Sequence, residues 1–177
     1  MRGLLRKGLA LAALAALLAA GYVLLIRGTT VETRVSVPRP VAEIGSGSDA
    51  VGVSDDGAVL AWLPAPSEEL PSLPLSEPPD APRLAGPALE QARVLGAAPL
   101  PLRPHLAGSG AEEDGVVVEL HDGVELRFGR ASRLGEKWRA AAAVLADPDL
   151  GSLVYVDLTA PRRPAVGGVG YELASLP

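Results

Sequence analysis

The sequence predicts an α+β fold in which one N-terminal transmembrane helix is followed by a strand-rich extracytoplasmic β-domain with two short helices packed on its sheet. Three observations carry this expectation. An uncharged run from Gly8 to Ile26 is bracketed by Lys7 and Arg27, short period-two stretches recur beyond it, and only segments 86–98 and 132–149 switch to a helical period.

The run from Gly8 to Ile26 would cover about 28 Å as a helix, close to the ~30 Å hydrocarbon core of a bilayer. Arg2, Arg6 and Lys7 precede it and only Arg27 closely follows it. The positive-inside rule then leaves residues 1–7 as a cytoplasmic tail, 8–26 as the span of a single-pass protein of the cytoplasmic (inner) membrane, and the remainder outside. A cleaved signal peptide competes, since "LAALLAAG" offers small residues for cleavage, but "YVLLI" prolongs the apolar run past that point.

Beyond the span, "VETRVSV" at 31–37 alternates as a half-buried strand does, and Pro38 and Pro40 end it or mark an edge. In "DAVGVSDDGAVLAW" the Asp56-Gly57 pair sits between two apolar stretches and predicts a hairpin, because a tight turn needs positive φ and glycine supplies it cheaply. Leu63 to Pro104 is rich in proline and reads as an extended surface connection, interrupted by a short helix in "GPALEQARVLGAA" with Pro87 in its first turn and Leu89, Val94 and Leu95 on one side. "APLPLRPHL" reads as extended again. "GVVVELHDGVELRFG", 115–129, predicts a second hairpin about Asp122-Gly123. Leu134, Trp138, Ala141 or Ala142, and Leu145 then fall at helical spacing, with Glu136, Lys137 and Arg139 assigned to the wet face and Pro148 as the stop. "GSLVYVDLT" is the final strong strand, and residues 167–177 read as a flexible tail.

Composition removes several function classes. The chain has no cysteine, which excludes disulfides, thiolate metal sites and thiol catalysis. A net charge of −5 argues against a duplex nucleic-acid binder, which wants a basic face. No nucleophile elbow, zinc-protease helix, phosphate loop or dinucleotide fingerprint is present. Asp55 and Asp56 lack the later ligands of a calcium loop. The glycine-rich "GSGSD" at 45–49 precedes no helix and so no phosphate-binding dipole. His121 and Asp122 sit together at a turn, where neighbours point apart into water.

The order of elements resembles the FtsQ/DivIB family of bacterial cell-division proteins. The resemblance is carried by "RPVA", by "LHDGVELRFG" followed by the lysine-bearing helix "GEKWRAAAAVL", and by the terminal "YVDLTAPRRPAV". It implies a POTRA module, of which residues 27–45 would keep only the last strand, and a β-domain over 46–166. It further implies a scaffold and not an enzyme, with no cofactor, no metal, no nucleic acid and no small-molecule substrate. The implied partners are small bitopic FtsB-like and FtsL-like proteins and, through them, the septal peptidoglycan synthase, at the division septum. Carried across by position, the partner-binding segment is Tyr155, Asp157, Leu158, Thr159, Ala160, Pro161, Arg162, Arg163, Pro164, Ala165 and Val166. The physics of such a segment is strand addition, in which main-chain groups give affinity and alternate side chains give specificity. Arg162 and Arg163 would face acidic partner groups, while Pro161 and Pro164 restrict how much of the edge can pair. Two other readings stand beside this one: a membrane-anchored envelope hydrolase using His121 with Asp122, and a nonfunctional truncated fragment.

Overall fold

The computed structural model describes residues 38–64 and 70–168. The sheet-forming elements are β1 (Ala42–Ile44), β2 (Val51–Val53), β3 (Leu106–Glu112), β4 (Gly115–Leu120), β5 (Glu125–Gly129), β6 (Leu153–Asp157) and β7 (Ala165–Gly168); the helices are α1 (Gly86–Gly96) and α2 (Leu134–Leu145). Five strands form one sheet in the order β3-β4-β5-β6-β7, antiparallel except for the parallel pair β5 and β6. A parallel pair needs a crossover, and α2 with its flanking turns supplies it.

The expected fold class needs correction in one part. The domain is α+β, with a strand-rich sheet and short helices, but among the described residues no helix is long and apolar enough to cross a membrane. The run from Gly8 to Ile26 assigned to the span, like the strand at 31–37, lies outside the described residues, so the transmembrane helix is not part of the fold established here.

Both Asp-Gly turns form where the sequence places them, with Gly57 at φ +80° and Gly123 at φ +85°. The second joins β4 to β5, closed by Leu120 and Val124 main-chain groups and by the Asp122 carboxylate, which accepts from the Val124 amide at 3.2 Å. The first turn is tied more heavily. Asp56 accepts from the Ser54 hydroxyl, from the Ala58 amide at 3.2 Å and from Arg83 Nη1 at 2.8 Å. Those donors, the Ser54 hydroxyl foremost, hold the Asp56 carboxyl down at about 2.

Through Arg83 the proline-rich connection returns to this hairpin, since the Leu84 amide donates to Gly57 O and the Val59 amide to Pro82 O. That connection is therefore less superficial than expected. Leu73 and Leu84 are buried, and Ser72 bridges β1 on one side and β3 on the other, both in parallel. The stitch uses four backbone bonds: Glu43 N to Pro71 O, Leu73 N to Glu43 O, Ser72 N to Ala107 O, and Ser109 N to Ser72 O. It reaches β3 at Ala107, the extra residue of a bulge between Leu106 and Gly108. The stretch read as extended, Leu100–His105, is instead a 3-10 helix, in which the Leu102 amide closes on Pro99 O.

One face of the sheet is the core. Val116, Val118 and Leu120 of β4, Leu126 and Phe128 of β5, and Val156 with Leu158 at β6 all project into it and are buried. Ala92, Val94 and Leu95 from α1 and Trp138 and Ala141 from α2 belong to the same buried cluster. Trp138 joins the helices to each other and to the sheet: its indole N–H donates to Val94 O of α1 at 2.9 Å, and its ring lies 4.7 Å from that of Phe128.

Lys137 corrects another expectation. Its side chain is buried, not solvated, and Nζ donates to Phe128 O and to Arg130 O, the latter at 2.8 Å. The reason lies in the β4 to β5 ladder, where Val116 faces Gly129 and Val117 faces Arg127. Phe128 is thus the extra residue of a bulge, its carbonyl has no ladder partner in β4, and the lysine supplies the donor. Burial pushes the Lys137 ammonium below the ordinary lysine range, the Arg133 charge adds to that, and Asp157 opposes it.

Candidate protein-docking edge

β7 is the last strand of the sheet. It pairs antiparallel with β6 on one side, Asp157 facing Ala165, Val156 facing Val166 and Tyr155 facing Gly167. Among the described residues nothing pairs with its other side. Alternate residues of such a strand turn their N–H and C=O outward, so four residues offer about two of each.

The eleven residues assigned to partner binding divide in the structure. Tyr155 and Asp157 lie in β6, one strand in from the edge, on the face away from the helices. Leu158 and Pro161 are buried, and the first belongs to the core cluster. Thr159, Ala160, Arg162 and Arg163 are exposed on the turn before the edge strand, and Pro164 is half-buried. The turn is fixed locally: Asp157 Oδ1 accepts from the Thr159 amide at 2.8 Å and its hydroxyl at 2.7 Å, and the Arg163 amide donates to Ala160 O. Only Ala165 and Val166 of the eleven stand on the edge strand itself, and β7 continues through Gly167 and Gly168, which the sequence had placed in the tail.

The polar face beside this edge contains residues that sequence reasoning passed over. Parallel pairing sets Glu125 opposite Tyr155 and Arg127 opposite Asp157. Arg127 pairs with Glu125 at 2.8 Å, and its guanidinium lies 4.2 Å from the centroid of the Tyr155 ring. The Glu125 hydrogen bond raises the Arg127 pKa above its ordinary value, so the cation is permanent. Tyr155 in turn covers Gly167: a β-carbon added there would overlap ring atoms Cε1 and Cζ and come within 2.9 Å of the hydroxyl oxygen. An aromatic laid over an edge glycine restores packing that the glycine itself lacks. Strand alternation alone could have put Glu125 with Arg127 on one face; their meeting with Tyr155 depends on a register that no local pattern announces.

The residues considered for hydrolysis are arranged differently. His121 and Asp122 are exposed at the β4 to β5 turn beside a cleft of about 330 Å³ lined also by Leu102, His105, Leu120 and Leu145. The Asp122 carboxylate is occupied with the Val124 amide, and no hydroxyl side chain lines the cleft. A nucleophile with its base within hydrogen-bond reach, the arrangement acyl transfer needs, is not assembled there.

Fold and site together define an α+β domain that presents one short edge strand, framed by a basic turn and an aromatic-covered glycine. Compared with known proteins, the chain matches no family model, and no curated protein matches its sequence.

Proposed function

We propose that this domain is a scaffold of the bacterial cell-division machinery, working outside the cytoplasmic membrane at the septum, and that it holds a small FtsB-like or FtsL-like partner by accepting a strand of that partner on β7. Through that partner it regulates septal peptidoglycan synthesis. The observation that carries the reading is the outer side of β7, unpaired among the described residues, in the segment where the resemblance to the FtsQ/DivIB family puts partner binding. The edge has features that keep it from pairing indiscriminately: four residues only, two prolines before it and the charges of Arg162 and Arg163. A partner strand must therefore be matched to the site.

The test is binding of the FtsB-like protein of the same organism to the chain and to Ala165→Pro and Val166→Pro. These two positions are adjacent, so one N–H points toward β6 and the other away from it. The outward proline should abolish binding while the circular dichroism spectrum is unchanged; the inward one should disturb β7 itself. Full binding by both variants would refute edge addition.

A further inference from the structure

We infer that Tyr155 is a specificity-determining residue of the β7 edge, reading through its hydroxyl a hydrogen-bond acceptor side chain that the added strand places beside Gly167 on the polar face of the sheet. The inference rests on the strand-addition reading and adds to it which residue discriminates and what chemistry it selects.

Three observations lead there. The Tyr155 ring is held at two places: Arg127 is stacked at 4.2 Å from the centroid, and the ring's outer end lies against Gly167. The side chain is half-buried, and among the described residues its hydroxyl has no hydrogen-bond partner. The direction is set by register. Tyr155 faces Gly167, and its hydroxyl oxygen lies within 2.9 Å of the place a Gly167 β-carbon would take, so the side chain reaches fully across to the outermost strand. An added strand would run about 4.8 Å farther out, within reach of one side chain from that hydroxyl.

Glycine at 167 is what makes this possible, since any side chain there would displace the ring and screen the hydroxyl from the partner. Main-chain pairing alone is blind to sequence, so an edge this short needs at least one side-chain reader to discriminate. A phenol donor on a wet, polar face selects an acceptor, namely a carboxylate, amide or hydroxyl, over an aliphatic group.

The experiment measures affinity of the full chain for the extracytoplasmic segment of the FtsB-like protein of the same organism, with Tyr155→Phe, Gly167→Ala and the outward proline variant of β7 in parallel. Tyr155→Phe should bind about tenfold more weakly. Its melting temperature should match that of the wild type, because among the described residues the hydroxyl has no hydrogen bond to lose. Gly167→Ala should lose at least as much by forcing the ring aside. A double-mutant cycle against alanine replacements of acceptor residues in the partner strand should then show coupling at one position. Wild-type affinity in Tyr155→Phe together with loss in the proline variant overturns the inference and leaves edge addition standing. A fall in melting temperature that accounts for the binding loss also overturns it, since Tyr155 would then be structural. If the wild-type chain does not bind the segment, edge addition fails and the inference falls with it.

Discussion

Replacing Lys137 by methionine isolates the role of the buried ammonium, because methionine keeps an unbranched stem as far as Cε and removes only the terminal ammonium. Two carbonyls, Phe128 O at the bulge and Arg130 O after it, would lose the group they accept from. Hydrogen bonds to charged groups contribute about 1.5 to 3 kcal/mol each, so the gross loss is about 3 to 6 kcal/mol. Against this, methionine carries no desolvation penalty, whereas burying the lysine ammonium does, the same burial that pushes its pKa down. The net expectation is a destabilisation of about 2 to 4 kcal/mol, read as a fall in melting temperature on the order of 10 °C. Thermal and urea unfolding followed by circular dichroism measure it, with Arg139→Met on the exposed side of the same helix as the control, expected within about 0.5 kcal/mol of wild type. A Lys137→Met variant as stable as that control would refute the assignment of the ammonium as donor to the bulge.

Other perturbations have equally definite outcomes. Trp138→Ala removes a ring packed against Phe128 and a bond to Val94 O, and should cost about 3 to 5 kcal/mol in urea unfolding; a smaller change than Leu134→Ala, which truncates a partly exposed residue, would contradict its place at the centre of the core. Asp56 has a folded-state pKa depressed to about 2, so its contribution is fully present above the ordinary carboxylate range and is lost as the pH falls from about 4 toward 2. The difference in melting temperature between wild type and Asp56→Asn should therefore shrink over that window; because the carboxylate is exposed, the difference at pH 7 should be small, and a constant difference would speak against the shift. Gly123→Ala places a β-carbon at φ +85° in a turn with no steric neighbour, so a loss of about 1 kcal/mol from backbone strain alone is expected, and an unchanged midpoint would mean the turn relaxes.

Elements set by local pattern were legible in the sequence. Val116 to Phe128 alternates around Asp122-Gly123 and forms β4 and β5, while the spacing of Leu134, Trp138 and Leu145 forms α2. Elements whose reason for existing is a distant neighbour were not. β3 reads "LAGSGAE", poor in strand-forming types, because at Gly108 the Ser72 hydroxyl and carbonyl approach closer than a β-carbon would permit. β1 comes shortly after Pro38 and Pro40 and is only three residues long, too short for alternation to register. Lys137 was misplaced because it borders the apolar stripe, four residues before the buried Ala141, and the carbonyl that draws it inward belongs to a bulge in another element. At the outer edge no local pattern announced β7: Ala165 and Val166 were reached only through the family resemblance, and the two glycines that complete the strand were taken for tail. A glycine that exists to accommodate a tyrosine from the next strand carries no strand signal of its own.

The stitch at Ser72 has a mechanical meaning. It lies on the β1 side of the five-stranded sheet, and β7 forms the opposite margin, so any load between residue 38 and β7 runs across the strands and through this seam. Two backbone bonds on each side of one residue unzip more easily than the longer ladders from β3 to β5. Under tension the molecule should part first between β1 and β3, paying out the proline-rich connection as slack while the β7 platform keeps its shape. The seam would then act as a mechanical fuse, yielding before the five-stranded sheet does.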